Sequence, residues 1–257
     1  MIWYFSATGN SKMIAEILAR GTGERTGSIG KALRGGRIPQ GEDGDDVLGF
    51  VMPVCFWGLS AAVLEFLEGA SFRVPEDAYV YAVFAYGSAA GMAGPQLTEV
   101  LKKKGIRLDA VFSVRTTDTF VPVYSVRDAD AARKTTEAAA AAAEQLVPRV
   151  LSKERGDFAA GRMPAPMARA FYKNYGRARE TGNFTVGAEC AGCGVCERVC
   201  PVRAIGMKDG RPVFVKETCA LCLACLHRCP NGAIGYRRKN RHGQFVNPFA
   251  GDDGGCF

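Results

Sequence analysis

Ile2-Trp3-Tyr4-Phe5-Ser6-Ala7-Thr8-Gly9-Asn10-Ser11 decides the reading of the first half of the chain. Four apolar residues in a row fit a short strand buried on both faces. Directly after them, from Asn10 to Arg20, Met13, Ile14, Ile17 and Leu18 recur at helical spacing. Between strand and helix, Ser6, Thr8 and Ser11 offer hydroxyls and Gly9 allows a tight turn. The N–H groups of the helix start would face an anion there. A Walker-type loop would need Gly-Lys-Ser/Thr and a dinucleotide loop G-x-G-x-x-G, and this stretch has neither. It reads as a phosphate loop built from Ser6, Thr8, Gly9, Asn10 and Ser11, against the plainer alternative of a Ser/Thr-capped helix.

Outward from this stretch the pattern alternates. A weak strand is expected near Ser28–Leu33 and clear ones at Val47–Met52, Ala78–Ala85 and Leu108–Val114. Helices are expected at Leu59–Leu67, Gly94–Lys104 and, Ala-rich, at Asp128–Leu151. Strands alternating with helices imply parallel pairing through right-handed crossovers, hence a doubly wound α/β sandwich of five strands. Two later loops leave the carboxyl ends of strands, where such sheets bind ligands. They are Pro53-Val54-Cys55-Phe56-Trp57-Gly58 and Tyr86-Gly87-Ser88-Ala89-Ala90-Gly91, with Thr117–Pro122 as a third candidate wall. Phe56 and Trp57 could equally pack on the sheet.

Residues 154–183 are basic and broken by Gly156, Gly161, Pro164 and Pro166, with one short helix expected at Met167–Tyr175. They read as a connector between a domain at 1–153 and one at 184–237, with a polar tail at 238–257. A repeat of period 29 fills the second domain. Cys190-Ala-Gly-Cys193-Gly-Val-Cys196-Glu-Arg-Val-Cys200-Pro201 aligns with Cys219-Ala-Leu-Cys222-Leu-Ala-Cys225-Leu-His-Arg-Cys229-Pro230. Ala204-Ile205-Gly206 likewise aligns with Ala233-Ile234-Gly235. Between the copies, Lys208-Asp209-Gly210-Arg211 reads as a hairpin turn.

Each copy is C-x2-C-x2-C-x3-C-P. Three closely spaced cysteines wrap one [4Fe–4S] cube and the fourth ligates the other. One cluster is therefore expected on Cys190, Cys193, Cys196 and Cys229, the second on Cys219, Cys222, Cys225 and Cys200. Structural zinc also takes four cysteines, but usually as two separated C-x2-C pairs. Ala191, Gly192, Gly194, Ala220 and Ala224 would let backbone N–H groups approach the sulfurs. Ile205, Ile234, Val195 and Leu223 would shield them from water.

Composition bounds the rest. The net charge is +7, and the surplus sits after residue 151: 17 Lys/Arg against 9 Asp/Glu over 152–257. Basic halves can bind nucleic acid, but an oxidised cluster with its four thiolates carries about −2. The surplus is therefore read as balancing cluster charge, and no nucleic-acid partner is expected. No apolar run reaches 18 residues and the amino terminus lacks a basic n-region, so no membrane span and a cytoplasmic location are expected.

Phe184–Tyr236 closely resembles the bacterial two-cluster ferredoxins, although most of those are acidic. Ser6–Ser11 resembles the flavodoxin phosphate loop, and the chain as a whole resembles flavodoxin–ferredoxin fusion proteins of anaerobes. Tyr4–Ser11, both cysteine runs, Arg241-His242-Gly243 and Asn247-Pro248 carry that likeness. The resemblance implies a flavodoxin-like domain binding FMN, with Pro53, Phe56, Trp57, Gly58, Tyr86, Gly87 and Ser88 around the ring, followed by a small α+β ferredoxin domain. It implies electron transfer between flavin and low-potential one-electron redox protein partners. Two alternatives stand beside it: a flavin-dependent reductase of a small acceptor, and a ferredoxin whose α/β domain is empty and docks a partner. Cys55 reads as a buried filler, Cys256 as free, His227 as a packing or hydrogen-bonding residue and His242 as a surface residue. No Ser-His-Asp set or carboxylate pair suggests hydrolysis.

Overall fold

The clear hydrophobic runs become strands where the sequence placed them. In the computed structural model, which describes residues 1–41, 46–161 and 163–250, β1 (Ile2–Tyr4) leads into α1 (Asn10–Thr22). Then come β2 (Thr26–Ser28), α2 (Ile29–Gly35), β3 (Val47–Pro53), α3 (Ala61–Gly69), β4 (Tyr79–Tyr86), α4 (Ala93–Lys102), β5 (Ala110–Arg115), α5 (Ala129–Leu151) and β6 (Gly156–Asp157). The strands pair in the order β2-β1-β3-β4-β5-β6, all parallel. The first five follow the flavodoxin-like order 2-1-3-4-5, whose ligand crevice opens between β1 and β3.

Two expectations are corrected here. Among the described residues the sheet has six strands, not five, because Gly156–Asp157 adds a two-residue edge strand beside β5. The weak strand at Ser28–Leu33 is instead the end of β2 and the helix α2. Ser28 turns the chain by accepting a hydrogen bond from Lys31 N on its side-chain oxygen, 3.1 Å, as an N-cap does.

Alternation along the strands feeds two apolar layers. Tyr79, Tyr81, Val83 and Phe112 pack beneath Met13, Ile14 and Leu18 of α1 and Ala139, Ala143 and Leu146 of α5. Val80, Ala82 and Phe84 face the other way, against Val63 and Phe66 of α3 and Leu97 and Leu101 of α4. This second layer does not stop at the sheet. It runs on through Tyr175 to Val199, Ile205, Leu223, Leu226 and Ile234, so the α/β unit and the cysteine-rich unit share one core.

The segment after β6 forms α6 (Ala165–Lys173) and α7 (Tyr175–Ala178). The cysteine-rich unit holds β7 (Phe184–Val186), α8 (Val195–Arg198), β8 (Ile205–Lys208), β9 (Arg211–Phe214), α9 (Ala224–His227) and β10 (Ile234–Tyr236). β7 pairs antiparallel with β10 and β8 with β9. Asp209 and Gly210, both at positive φ (49° and 72°), turn the β8–β9 hairpin. Among the described residues no helix is long and apolar enough to cross a membrane.

Candidate cofactor sites

The loop after β1 closes on itself. Gly9 N–H donates to Ser6 Oγ, 3.0 Å, and Gly9 adopts φ 98° as the N-cap of α1. No side chain caps α1, so the start of a 13-residue helix faces the loop without a capping oxygen. Ser6, Thr8, Asn10 and Ser11 are all buried. Buried hydroxyls beside an uncapped helix start are a donor set suited to a phosphate.

Above this loop lies a cavity of about 390 Å³, within the range of small-molecule sites. Four strand ends build it: Phe5–Thr8, Asn10 and Ser11 after β1, Pro53–Trp57 after β3, Ala85, Gly87, Ser88 and Ala89 after β4, and Thr116–Phe120 after β5. It thus opens at the switch point of the sheet. Of the residues expected around it, Gly9, Gly58 and Tyr86 do not line it. Gly9 forms the N-cap beneath, and a Cβ on Gly58 would meet Gln96 and the Tyr172 ring. Tyr86 follows the alternation of β4 onto the Phe84 side and packs by Gly161.

Phe56 and Trp57 sit at the corner of a two-residue turn closed by reciprocal bonds between Cys55 and Gly58, 2.8 and 2.9 Å. Both have positive φ, 49° and 62°, a conformation that costs side-chain-bearing residues of order 1–3 kcal/mol each. The turn thrusts two aromatic rings at the cavity. Trp57 packs on Phe171 of α6, centroids 4.6 Å apart, and Phe56 on Tyr175 and Phe120 at 5.3 and 5.5 Å. Burial pushes the Cys55 thiol up to about 12, which keeps it protonated and a poor nucleophile. Asp118 is the acidic residue of the lining. Burial raises its carboxyl above the usual range, opposed by a hydrogen bond from Phe120 N, 3.0 Å.

The cysteines form two cages. One cavity is lined by Cys190, Cys193, Cys196 and Cys229, another by Cys219, Cys222, Cys225 and Cys200. The fourth cysteine of each run thus stands in the other run's cage. Among the described residues no three Cys, His, Asp or Glu side chains converge as a single metal ion requires. Four cysteines spread around a cavity suit a multi-iron cube better than one tetrahedral zinc. Backbone N–H groups point at sulfur in a pattern that respects the repeat. Ala204 donates to Cys200 Sγ at 3.2 Å and Ala233, 29 residues on, to Cys229 Sγ at 3.3 Å, while Leu221 donates to Cys219 Sγ at 3.3 Å. Burial raises the Cys219 thiol to about 11 and pushes Cys222 and Cys225 up as well. Val195, Met207 and Ile234 wall the first cage, Ile205, Phe214 and Leu223 the second.

The cages differ in setting. Cys193 is exposed, whereas Cys200, Cys219 and Cys225 are buried. Leu221, Cys222 and Leu223 line the sheet-edge cavity as well as the second cage, which is therefore the inner one. The signal for this shared wall in the sequence lies in the repeat, where Leu221 and Leu223 replace Gly192 and Gly194. All four have positive φ, 48° and 60° for the leucines, 68° and 71° for the glycines.

His227 bridges the parts. Its Nδ1 accepts from Phe245 N, 3.1 Å, so the proton lies on Nε2, which donates to Thr119 O at 2.8 Å. His242 is not a plain surface residue. It is half-buried, with Nδ1 2.6 Å from Val121 O, and its carbonyl accepts from Val126 N. Cys256 lies outside the described residues.

Residues 189–234 match the family of 4Fe-4S dicluster domains. No curated protein sequence is significantly similar to the chain. Among solved structures, the Trp repressor binding protein from Bacillus subtilis is 15% identical, with 57% of this chain and 97% of that one covered and a TM-score of 0.38. Azoreductase from Bacillus anthracis is 10% identical over 58% and 98%, TM-score 0.38. The flavodoxin, WrbA-like protein from Agrobacterium tumefaciens is 17% identical over 56% and 96%, TM-score 0.32. The class of the first unit rests on its strand order rather than on these scores. The chain joins a flavodoxin-like α/β unit to a 4Fe–4S dicluster unit and is a redox protein.

Proposed function

We propose that the chain is an electron relay in which FMN occupies the sheet-edge cavity and two [4Fe–4S] clusters occupy the cages. One observation carries this reading: Cys222 lines both the cavity and the inner cage. When bound, a flavin exchanges electrons in pairs or singly and each cluster carries one. The residues divide the work by position. Ser6, Thr8 and Ser11, with the first N–H groups of α1, hold the phosphate. Phe56, Trp57, Phe120 and Tyr124, which all line the cavity, wall the ring. Leu221 and Leu223 keep water out between cavity and inner cage. The exposed Cys193 makes the outer cage the outlet to a protein partner. The 10 Lys/Arg against 6 Asp/Glu over residues 183–257 favour an acidic partner.

The test is a visible spectrum of anaerobically purified protein together with iron, acid-labile sulfide and flavin assays. About eight iron and eight sulfide per chain, with one FMN, is expected for two cubes and one flavin. Zinc without sulfide would overturn the cluster half, and iron without flavin the FMN half.

A further inference from the structure

After β10 the described residues cross back over the molecule to the phosphate loop. Asn247 is 1% exposed and turns its backbone N–H and its side-chain NH2 to the loop and α1. Its backbone N–H donates to Thr8 O at 2.7 Å, and its Nδ2 donates to Asn10 Oδ1 at 3.0 Å and lies 3.4 Å from Met13 Sδ. Its Oδ1 accepts from Phe249 N at 2.9 Å. Asn10 is held at its other end, where Nδ2 donates to Thr117 O at 3.2 Å. The approach is so close that a Cβ on Gly9 would stand 2.8 Å from Ala250 Cβ and 2.9 Å from Asn247 Cβ.

These bonds orient the loop. In a trans peptide the carbonyl and the following N–H point opposite ways. Tying Thr8 O outward to Asn247 turns Gly9 N–H inward, where it meets Ser6 Oγ. Gly9 could otherwise take either orientation, because glycine populates both signs of φ. Fixing the Asn10 amide between Asn247 and Thr117 likewise sets what the start of α1 presents to an anion. The strap is anchored behind by Gln244, whose Nε2 donates to Leu226 O and Cys229 O at 2.6 and 2.7 Å, and by Phe245 N on His227.

We infer that Asn247 is a positioning residue for the phosphate group, holding the Ser6–Ser11 loop in its anion-binding form from 237 residues away. This rests on the flavin reading above. It acts on the phosphate end only, so it separates FMN from riboflavin, which has the same ring without the phosphate.

The experiment measures dissociation constants of FMN and of riboflavin for the full-length, cluster-loaded protein and for Asn247→Ala and Asn247→Asp, stripped of flavin and kept anaerobic. Asn247→Ala is expected to weaken FMN about tenfold, the worth of one to two hydrogen bonds, and to leave riboflavin within about twofold. Asn247→Asp loses the Nδ2 donor and sets a carboxylate against Asn10 Oδ1, so it should weaken FMN further. Equal losses for both ligands would mark a merely structural residue, and no loss for FMN would also overturn the inference. Wild-type protein that binds neither ligand would overturn the flavin reading itself. A measurement without variants guards against misfolding: FMN, but not riboflavin, should slow tryptic cleavage at Arg237, Arg238, Lys239 and Arg241. Equal protection by both ligands would count against Asn247 acting through the phosphate.

Discussion

Leu221 and Leu223 carry a cost that their counterparts avoid. Gly192 and Gly194 reach the same positive φ freely, while each leucine is strained by of order 1–3 kcal/mol. What the leucines add is apolar bulk between the cavity and the inner cage. Deleting a buried leucine side chain ordinarily costs about 2–5 kcal/mol. Here relief of strain offsets part of it, so Leu221→Gly and Leu223→Gly should each cost less than about 2 kcal/mol by thermal unfolding. Both should nevertheless speed bleaching of cluster absorbance in air. A full-sized loss of stability with unchanged bleaching would count against this role.

Asp118 gives a second prediction at this scale. Burial raises its folded carboxyl above the unfolded value, so the fold favours the protonated form. The contribution to stability is full at acid pH and is lost as pH rises through the folded pKa. The Asp118→Asn variant carries no such loss, and its amide oxygen can still accept from Phe120 N. Melting temperatures of wild type and Asp118→Asn should coincide near pH 4 and diverge in favour of the variant towards pH 8. A constant difference across that range would sink the idea.

At the scale of elements, α7 is the pivot. Tyr175 Oη donates to Ala220 O at 2.7 Å and accepts from Ala61 N at 3.0 Å, tying the start of α3 to the second cysteine run. Tyr175→Phe keeps the ring against Phe56 but strands both partners, for a loss of about 1–3 kcal/mol measured by denaturant unfolding. From α2, Arg34 reaches Glu197 O at 2.6 Å and Cys200 O at 3.3 Å, a second staple between the units. Legibility divides along the same lines. The runs at Val47–Met52 and Ala78–Ala85 were readable because buried parallel strands are continuously apolar. The 29-residue repeat exposed the crossed cages because the cysteine spacing encodes them. The edge strand Gly156–Asp157 was not readable, since two residues carry no period. Nor was the face of Tyr86, which depends on where β4 begins its alternation, nor the strap, whose partners lie far apart in sequence.

At the scale of the molecule, the proposed order runs cavity, inner cage, outer cage, surface. Cys193→Ser, which damages the outer cage alone, should leave the inner cluster reducible by a reduced flavin donor and abolish delivery to a protein acceptor. Cys222→Ser should remove both. Electron paramagnetic resonance of the reduced variants, with acceptor turnover, checks this. Full turnover with Cys193→Ser would reverse the order.

The strap also bears on biogenesis. The phosphate loop leaves the ribosome well before Asn247, which completes it. Between the two the whole dicluster unit must be made and folded, because Gln244 and Phe245 anchor on its second cysteine run. On the proposed reading a nascent chain would offer FMN only an unfinished loop, and assembly would run in a built-in sequence: iron and sulfide first, nucleotide last.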